Sequence, residues 1–325
     1  MENWQNQFLS DLTTSEGQLT RFTQICHALR PEGKLRGDRL AGLTRERVGL
    51  TNIKVIRRHI RVMEVLNLID YEDGLYSLSS EGRALWALTP GEPSRILSLA
   101  EKILYLRSLA IRVPIQFTSV LTAISENTGQ PREHIINSYG KRLLNHLIPW
   151  KDAETIRFRL SKEPPSIPRK LQNNFDCLLL WLKQMGLVDA KRLRTTKLGE
   201  ELARAQATQG MEHMKTIYRV ASAYVCGEPG CLPEFDYQSK KQRERFLSLF
   251  NDAYALFELP ELRVSDVVSM RLYVCIKLMV EGHPLLDELS FGQLIRTLSH
   301  EGTIQSVMTG RNGKLAYISL GAGDK

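Results

Sequence analysis

From Phe22 to Leu85 the apolar residues first recur three and four positions apart, then alternate with polar ones, then return to helical spacing. Phe22, Ile25 and Leu29 predict a leading helix, Asp38 to Arg47 a short second one, and Ile53, Ile56, Ile60 and Met63 a third with one buried face. Leu68 to Tyr71 and Leu75 to Leu78 read as strands joined by Glu72-Asp73-Gly74, whose Asp-Gly step tolerates the positive φ of a tight hairpin. Ser80-Glu81-Gly82 opens another helix, and Thr89-Pro90-Gly91-Glu92-Pro93 ends the stretch as a linker.

Further along, helices are predicted around Ile96 to Ile111, Phe117 to Thr128 and Pro131 to His146, with Pro131 as the first helical residue. Pro164, Pro165 and Pro168 break up Trp150 to Pro168, where a strand and a loop are expected before a helix from Leu171 to Met185. Met211 to Leu259 reads as helical, interrupted by a turn from Gly227 to Pro233. Val268, Leu272, Ile276 and Met279 mark one more helix, and Phe291, Leu294, Ile295 and Leu298 another with Ser290 as its N-cap. Ile304 to Thr309 and Leu315 to Leu320 then pair as a hairpin across Gly310-Arg311-Asn312-Gly313, and the tail from Gly321 to Lys325 frays.

One pattern occurs twice. Residues 63–85 and 182–202 each run from a helix end through an apolar step (Leu68-Ile69-Asp70; Leu187-Val188-Asp189), a polar tip and a second strand to a glycine that opens a helix (Gly82; Gly199). This order resembles the winged helix-turn-helix superfamily, in which a recognition helix is followed by a two-stranded wing. The resemblance implies a mainly α fold with short β-hairpin wings, arranged as tandem winged-helix domains. The divisions expected are an N-terminal winged-helix domain over 1–90, a second helical and winged-helix domain over 94–207, and a C-terminal helical domain over 208–325 that ends in a winged-helix-like hairpin.

Composition narrows the class. At 325 residues, 42% hydrophobic and 25% charged, the chain is expected to fold as two or three globular units. Its longest apolar runs are interrupted by Lys or Arg well short of the ~20 residues of a membrane span, so no membrane partner is expected. The first residues lack the basic start and apolar centre of a secretory signal. Cys26, Cys177, Cys226 and Cys275 sit among apolar neighbours, which suits free thiols in a reducing, cytoplasmic setting. Cys226 and Cys231 frame the sequence C-G-E-P-G-C, to be read either as two metal ligands lacking the other two or as a turn made by Gly227, Pro229 and Gly230.

Charge then points to a site. The net charge is +8, and Lys34 to Arg61 holds nine Lys or Arg against Asp38 and Glu46. On the third helix Lys54, Arg57, Arg58 and Arg61 fall together, about 130° from the apolar stripe. Arg45 and Arg47 lie just before it. A helix of this kind suits the DNA major groove, where Arg and Lys donate to guanine or to phosphate. The other readings of this face are a solvated surface and a protein-docking surface.

The wings disagree with one another: the first tip is acidic (Glu72, Asp73), whereas the second carries Lys191, Arg192 and Arg194 and the third Arg311 and Lys314. Lys141-Arg142, Arg157, Arg159 and Lys240 to Arg245 are further basic stretches. The common phosphate-loop, dinucleotide, zinc-protease and serine-hydrolase motifs are not found, and no catalytic residue, cofactor or metal is assigned. The expectation is a non-enzymatic protein that binds duplex DNA as part of a larger DNA-handling or regulatory system. Its rival is an assembly subunit that uses winged-helix units to dock protein partners.

Overall fold

The computed structural model describes residues 18–91, 94–146, 153–162, 166–205, 211–259, 261–310 and 315–320. The chain is mainly helical, with small antiparallel sheets. It opens with α1 (Leu19–Leu29), β1 (Leu35–Arg36), α2 (Gly37–Val48), α3 (Ile53–Val65), β2 (Ile69–Glu72), β3 (Leu75–Leu78) and α4 (Ser80–Leu88). The predicted periods explain these elements: Phe22, Ile25 and Leu29 of α1 and Ile56, Ile60 and Met63 of α3 are buried. Ile53, the first residue of α3, departs from the expected stripe at 38% exposure. Asp73 and Gly74, at φ 52° and 80°, make the two-residue turn between Glu72 and Leu75, which face each other across the hairpin.

The middle stretch comprises α5 (Leu99–Arg112), α6 (Pro114–Glu126), α7 (Arg132–His146), α8 (Ala153–Leu160), α9 (Arg169–Gln184) and α10 (Lys197–Ala205). Pro131 precedes α7 rather than forming its first residue, its carbonyl accepting from the His134 amide at 3.0 Å. The strand expected between Trp150 and Pro168 is instead α8, whose Ile156 and Leu160 are buried. The prolines follow that helix and so do not interrupt it. The second wing is likewise reduced to a single bridge, Val188 to Thr195. The segment between Val188 and Thr195 is two residues shorter than that between Ile69 and Leu78, and the Asp189 carboxylate accepts the Lys191 and Arg192 amides at 2.8 Å each, curling the chain into a turn.

The last stretch runs α11 (Met211–Ala221), α12 (Ala223–Cys226), α13 (Lys240–Phe257), β4 (Glu258–Leu259), β5 (Val264–Asp266), α14 (Val267–Val280), α15 (Glu288–His300), β6 (Ile304–Thr309) and β7 (Leu315–Leu320). The N-cap of α15 is Asp287, not Ser290: its carboxylate accepts the Leu289 and Ser290 amides at 2.8 and 2.9 Å. Strand order is β1-β3-β2 in the first sheet and β4-β5-β7-β6 in the second. The chain therefore makes nearly the same path twice: the first pass runs helix–strand–helix–helix–strand–strand with β1 beside β3, and the second repeats it from α13 with β5 beside β7, β4 being an added strand at the edge of that sheet.

The repeat seen in the sequence has a structural counterpart. Leu68 N donates to Met63 O and Leu187 N to Leu182 O, both at 2.8 Å, closing α3 and α9 in the same way. The carbonyls of Leu68 and Leu187 then accept from Ser79 N (3.2 Å) and Thr196 N (2.9 Å). Gly82 and Gly199 pass so close to these carbonyls that a Cβ would lie 1.9 and 2.1 Å from the oxygen.

One connected set of buried apolar side chains runs through all three stretches. Within it lies an ionic network that draws on each of them. The Arg107 guanidinium of α5 is bidentate on Glu288, its Nη2 donating to Oε2 at 3.0 Å, and its Nη1 lies 3.7 Å from Glu81. Arg271 reaches Glu288 at 3.0 Å, Arg112 reaches Glu81 at 3.1 Å, Tyr218 donates to Glu288, and Arg83 binds Asp266 at 2.8 Å.

Burial alone would raise the Glu288 and Asp266 carboxyls, but Arg107 and Arg271 beside the first, and Arg83 beside the second, hold both below the usual range. Their folded values lie under their unfolded ones, so their stabilisation is complete above about pH 4.5 and is lost as pH falls through the folded values. His27, pulled down by burial, adds an earlier loss beginning below its ordinary 6.5. Urea midpoints measured from pH 7 to pH 3 should therefore fall towards acid, most steeply below the carboxylate range; a flat profile would remove the network from the stability of the fold.

Among the described residues, no single helix is long and apolar enough to cross a membrane. Cys26, Cys177 and Cys275 are buried free thiols, and burial pushes Cys177 up to about 12. Cys226 departs from the free-thiol reading: it is exposed and disulfide-bonded to Cys231 across a turn in which Gly227 and Gly230 take positive φ.

Candidate nucleic-acid interface

The third helix begins where Asn52 accepts the Lys54 amide on its side chain at 2.9 Å, which satisfies a donor that the helix itself leaves open. Its inner face is fixed by Ile56, His59, Ile60, Val62 and Met63; the His59 ring bonds to the Val55 carbonyl at 2.8 Å. With that face committed to the core, Lys54, Arg57, Arg58 and Arg61 can only point away from it, and all four are exposed. Arg45 and Arg47, in the last turn of α2, are exposed too.

Between α2, α3 and β3 lies a cleft of about 710 Å³ walled by Arg45, Arg57, Arg58, Arg61, Ile53 and Tyr76. Among the described residues the side chains of Arg45, Arg47, Lys54, Arg57 and Arg58 enter no ion pair, and three of these cations, Arg45, Arg57 and Arg58, line the cleft. Arg61 differs, since Tyr76 lies within its field. The Tyr76 hydroxyl is raised by burial and by its hydrogen bond with Glu64, and Arg61 partly offsets this. Asp38 is the acidic residue of the cleft.

Tyr76 and Tyr71 were not anticipated as part of this surface. Tyr76 packs its ring edge 3.3 Å from where a Cβ on Gly37 would sit, and Tyr71, 59% exposed, lies against it with ring centroids 4.7 Å apart and the planes tilted by 37°. The signal was their pairing directly across the β2–β3 hairpin, which places both rings on the same face.

The remaining predicted residues are distributed differently. Lys191 and Arg192 are exposed at the second tip. Arg194 is also exposed but lies 3.6 Å from Asp189, whose carboxyl is lowered chiefly by the Arg192 and Lys191 amides and then by Arg194. Arg311 and Lys314 lie outside the described residues. Several other basic residues are occupied by the protein's own groups: Arg157 with the Leu144 carbonyl, Arg243 with Glu301, and Arg245 with Glu281. At the first tip Glu72 is 3.9 Å from Lys34.

Among the described residues no cluster of three or more His, Cys, Asp or Glu is placed to hold a metal ion, so Cys226 and Cys231 stand as a pair. No family model, curated protein or solved structure matches the chain.

Proposed function

We propose that the chain is a DNA-binding protein of tandem winged-helix construction, acting as part of a larger DNA-handling system, without catalysis of its own. The observation that carries this reading is the outward row Lys54, Arg57, Arg58 and Arg61 beside Arg45, on a helix whose opposite face is locked into the core. The twice-made path, with its β1-β3-β2 and β5-β7-β6 order, resembles the winged helix-turn-helix superfamily, in which the helix corresponding to α3 enters the major groove. The guanidinium groups of Arg45, Arg57 and Arg58, which enter no ion pair, gain there both from counterion release and from bidentate contact to guanine.

The units are not equivalent. In α15, which occupies the same place as α3 in the second path, Arg296 is the sole Lys or Arg, and Leu289, Met308 and Tyr317 are exposed nearby in sequence or on the following hairpin. That contrast favours protein docking for the C-terminal unit, so the assembly-subunit reading applies to that half while α3 contacts DNA.

Fluorescence anisotropy on a 25-base-pair duplex across a salt series tests the proposal. Reversing Arg57 and Arg58 to Glu should weaken binding by about 100-fold at low salt and lower the slope of log affinity against log salt by about 2. Unchanged affinity and slope would falsify the assignment of α3 as the DNA-contacting helix.

A further inference from the structure

A second polar surface, on α7, plays no part in the α3 reading. His134, Asn137, Ser138, Lys141 and Asn145 recur three and four residues apart and so share one face of the helix, about 16 Å long. Together with Arg142, and with Asn127 just past the end of α6, they line a concavity of about 360 Å³. None of the lining side chains is apolar and none is acidic.

Part of the lining is already organised. The Asn127 amide donates to the Ala123 carbonyl at 2.8 Å and to the Ser138 hydroxyl at 3.2 Å, and Arg142 uses one terminal nitrogen on Glu126. Two polar atoms remain buried and without a hydrogen-bond partner: Arg142 Nε and Asn137 Oδ1. Buried groups of this kind are ordinarily satisfied, so their state at the wall of a polar concavity points to a ligand. An amide can present either its oxygen or its NH2 by rotating about its last bond, whereas Arg142 Nε can only donate.

We infer that this concavity holds the phosphodiester backbone of the bound DNA. Cations and neutral donors in a row are the groups that contact phosphate and sugar oxygens, and the row is long enough to pass more than one phosphate of a single strand. A protein partner would meet no apolar centre here, a small organic ligand would meet no apolar floor, and a metal cation would meet no carboxylate. The inference rests on the DNA reading of α3 and adds a contact that carries affinity without base recognition.

The same duplex and salt series decide it, with Lys141→Gln, Asn137→Ala and the Arg57/Arg58 reversal run side by side and melting temperatures recorded. Lys141→Gln should weaken binding about fivefold and reduce the salt slope by about 1, and Asn137→Ala should weaken it about threefold, both retaining the wild-type melting temperature to within a few degrees. If Lys141→Gln leaves affinity and slope unchanged while the α3 reversal lowers them, the α7 contact is wrong and the α3 reading survives. If neither has an effect, both are wrong. Calorimetry with inorganic phosphate and with AMP separates the sources of phosphate: no saturation up to millimolar concentrations is expected, and saturable AMP binding abolished by Lys141→Gln would make this a nucleotide pocket and overturn the backbone assignment.

Discussion

Replacing Arg107 with Met is expected to destabilise the chain by about 3 kcal/mol, one of the largest effects available to a single side chain here. Arg107 is buried, and so are the two carboxylates it serves, Glu81 and Glu288. Charges taken out of water are tolerated because they face one another; removing the cation leaves anions whose desolvation is no longer offset. Arg112 and Arg271 still hold Glu81 and Glu288, which keeps the loss below that of a wholly orphaned pair.

The partner substitution Glu288→Gln should also destabilise, and the double variant should cost less than the sum of the two, since each removes the other's unpaired charge. Urea denaturation of the four proteins measures this coupling; strict additivity would mean that Arg107 and Glu288 do not stabilise each other. Because Glu81, Arg107 and Glu288 come from α4, α5 and α15, the same experiment asks whether the three stretches unfold together. A single shared transition that shifts as a whole is the expected result.

Gly82→Ala and Gly199→Ala should each cost about 2 kcal/mol or more, although alanine in a helix is ordinarily better than glycine by up to about 1 kcal/mol. The reversal of sign comes from the carbonyls of Leu68 and Leu187, which are backbone atoms and cannot swing aside as a side chain would. Gly42 in α2 and Gly292 in α15 serve as internal controls, because a Cβ at either meets nothing within 4 Å. Alanine at these two positions should be neutral or stabilising by up to about 1 kcal/mol. Thermal melts of the four single variants would decide it, and a Gly82 variant as stable as the Gly42 variant would show that the helix following each wing is free to move outward.

The match of Gly82 with Gly199 also shows how far a linear pattern carries. The glycine recurs because the same helix-to-strand corner needs the same close approach, a local constraint that depends on a few neighbouring residues. The Asp73-Gly74 turn, the caps at Asn52 and Ser79, and the buried faces of α1 and α3 are local in the same sense. The cationic row of α3 was legible for that reason: once three or four apolar positions are committed inward, helix geometry leaves the arginines no other direction.

Elsewhere, neighbours distant in sequence decided the outcome. Whether a basic residue remains uncompensated depends on acids far along the chain, as with Arg243 and Glu301 or Arg245 and Glu281, and charge counting does not see them. The strands β4 and β5 are too short for alternation to register, and they exist because β7 completes their sheet. Periodicity along the chain thus determined the helices other than α8, the first hairpin and the direction of the α3 cations, because these follow from bonds spanning a few residues. Tertiary structure alone decided the ionic network joining three stretches, the closing of the cleft by Tyr76 against Gly37 and the polar hollow between α6 and α7, because each depends on groups that meet only when the chain has closed on itself.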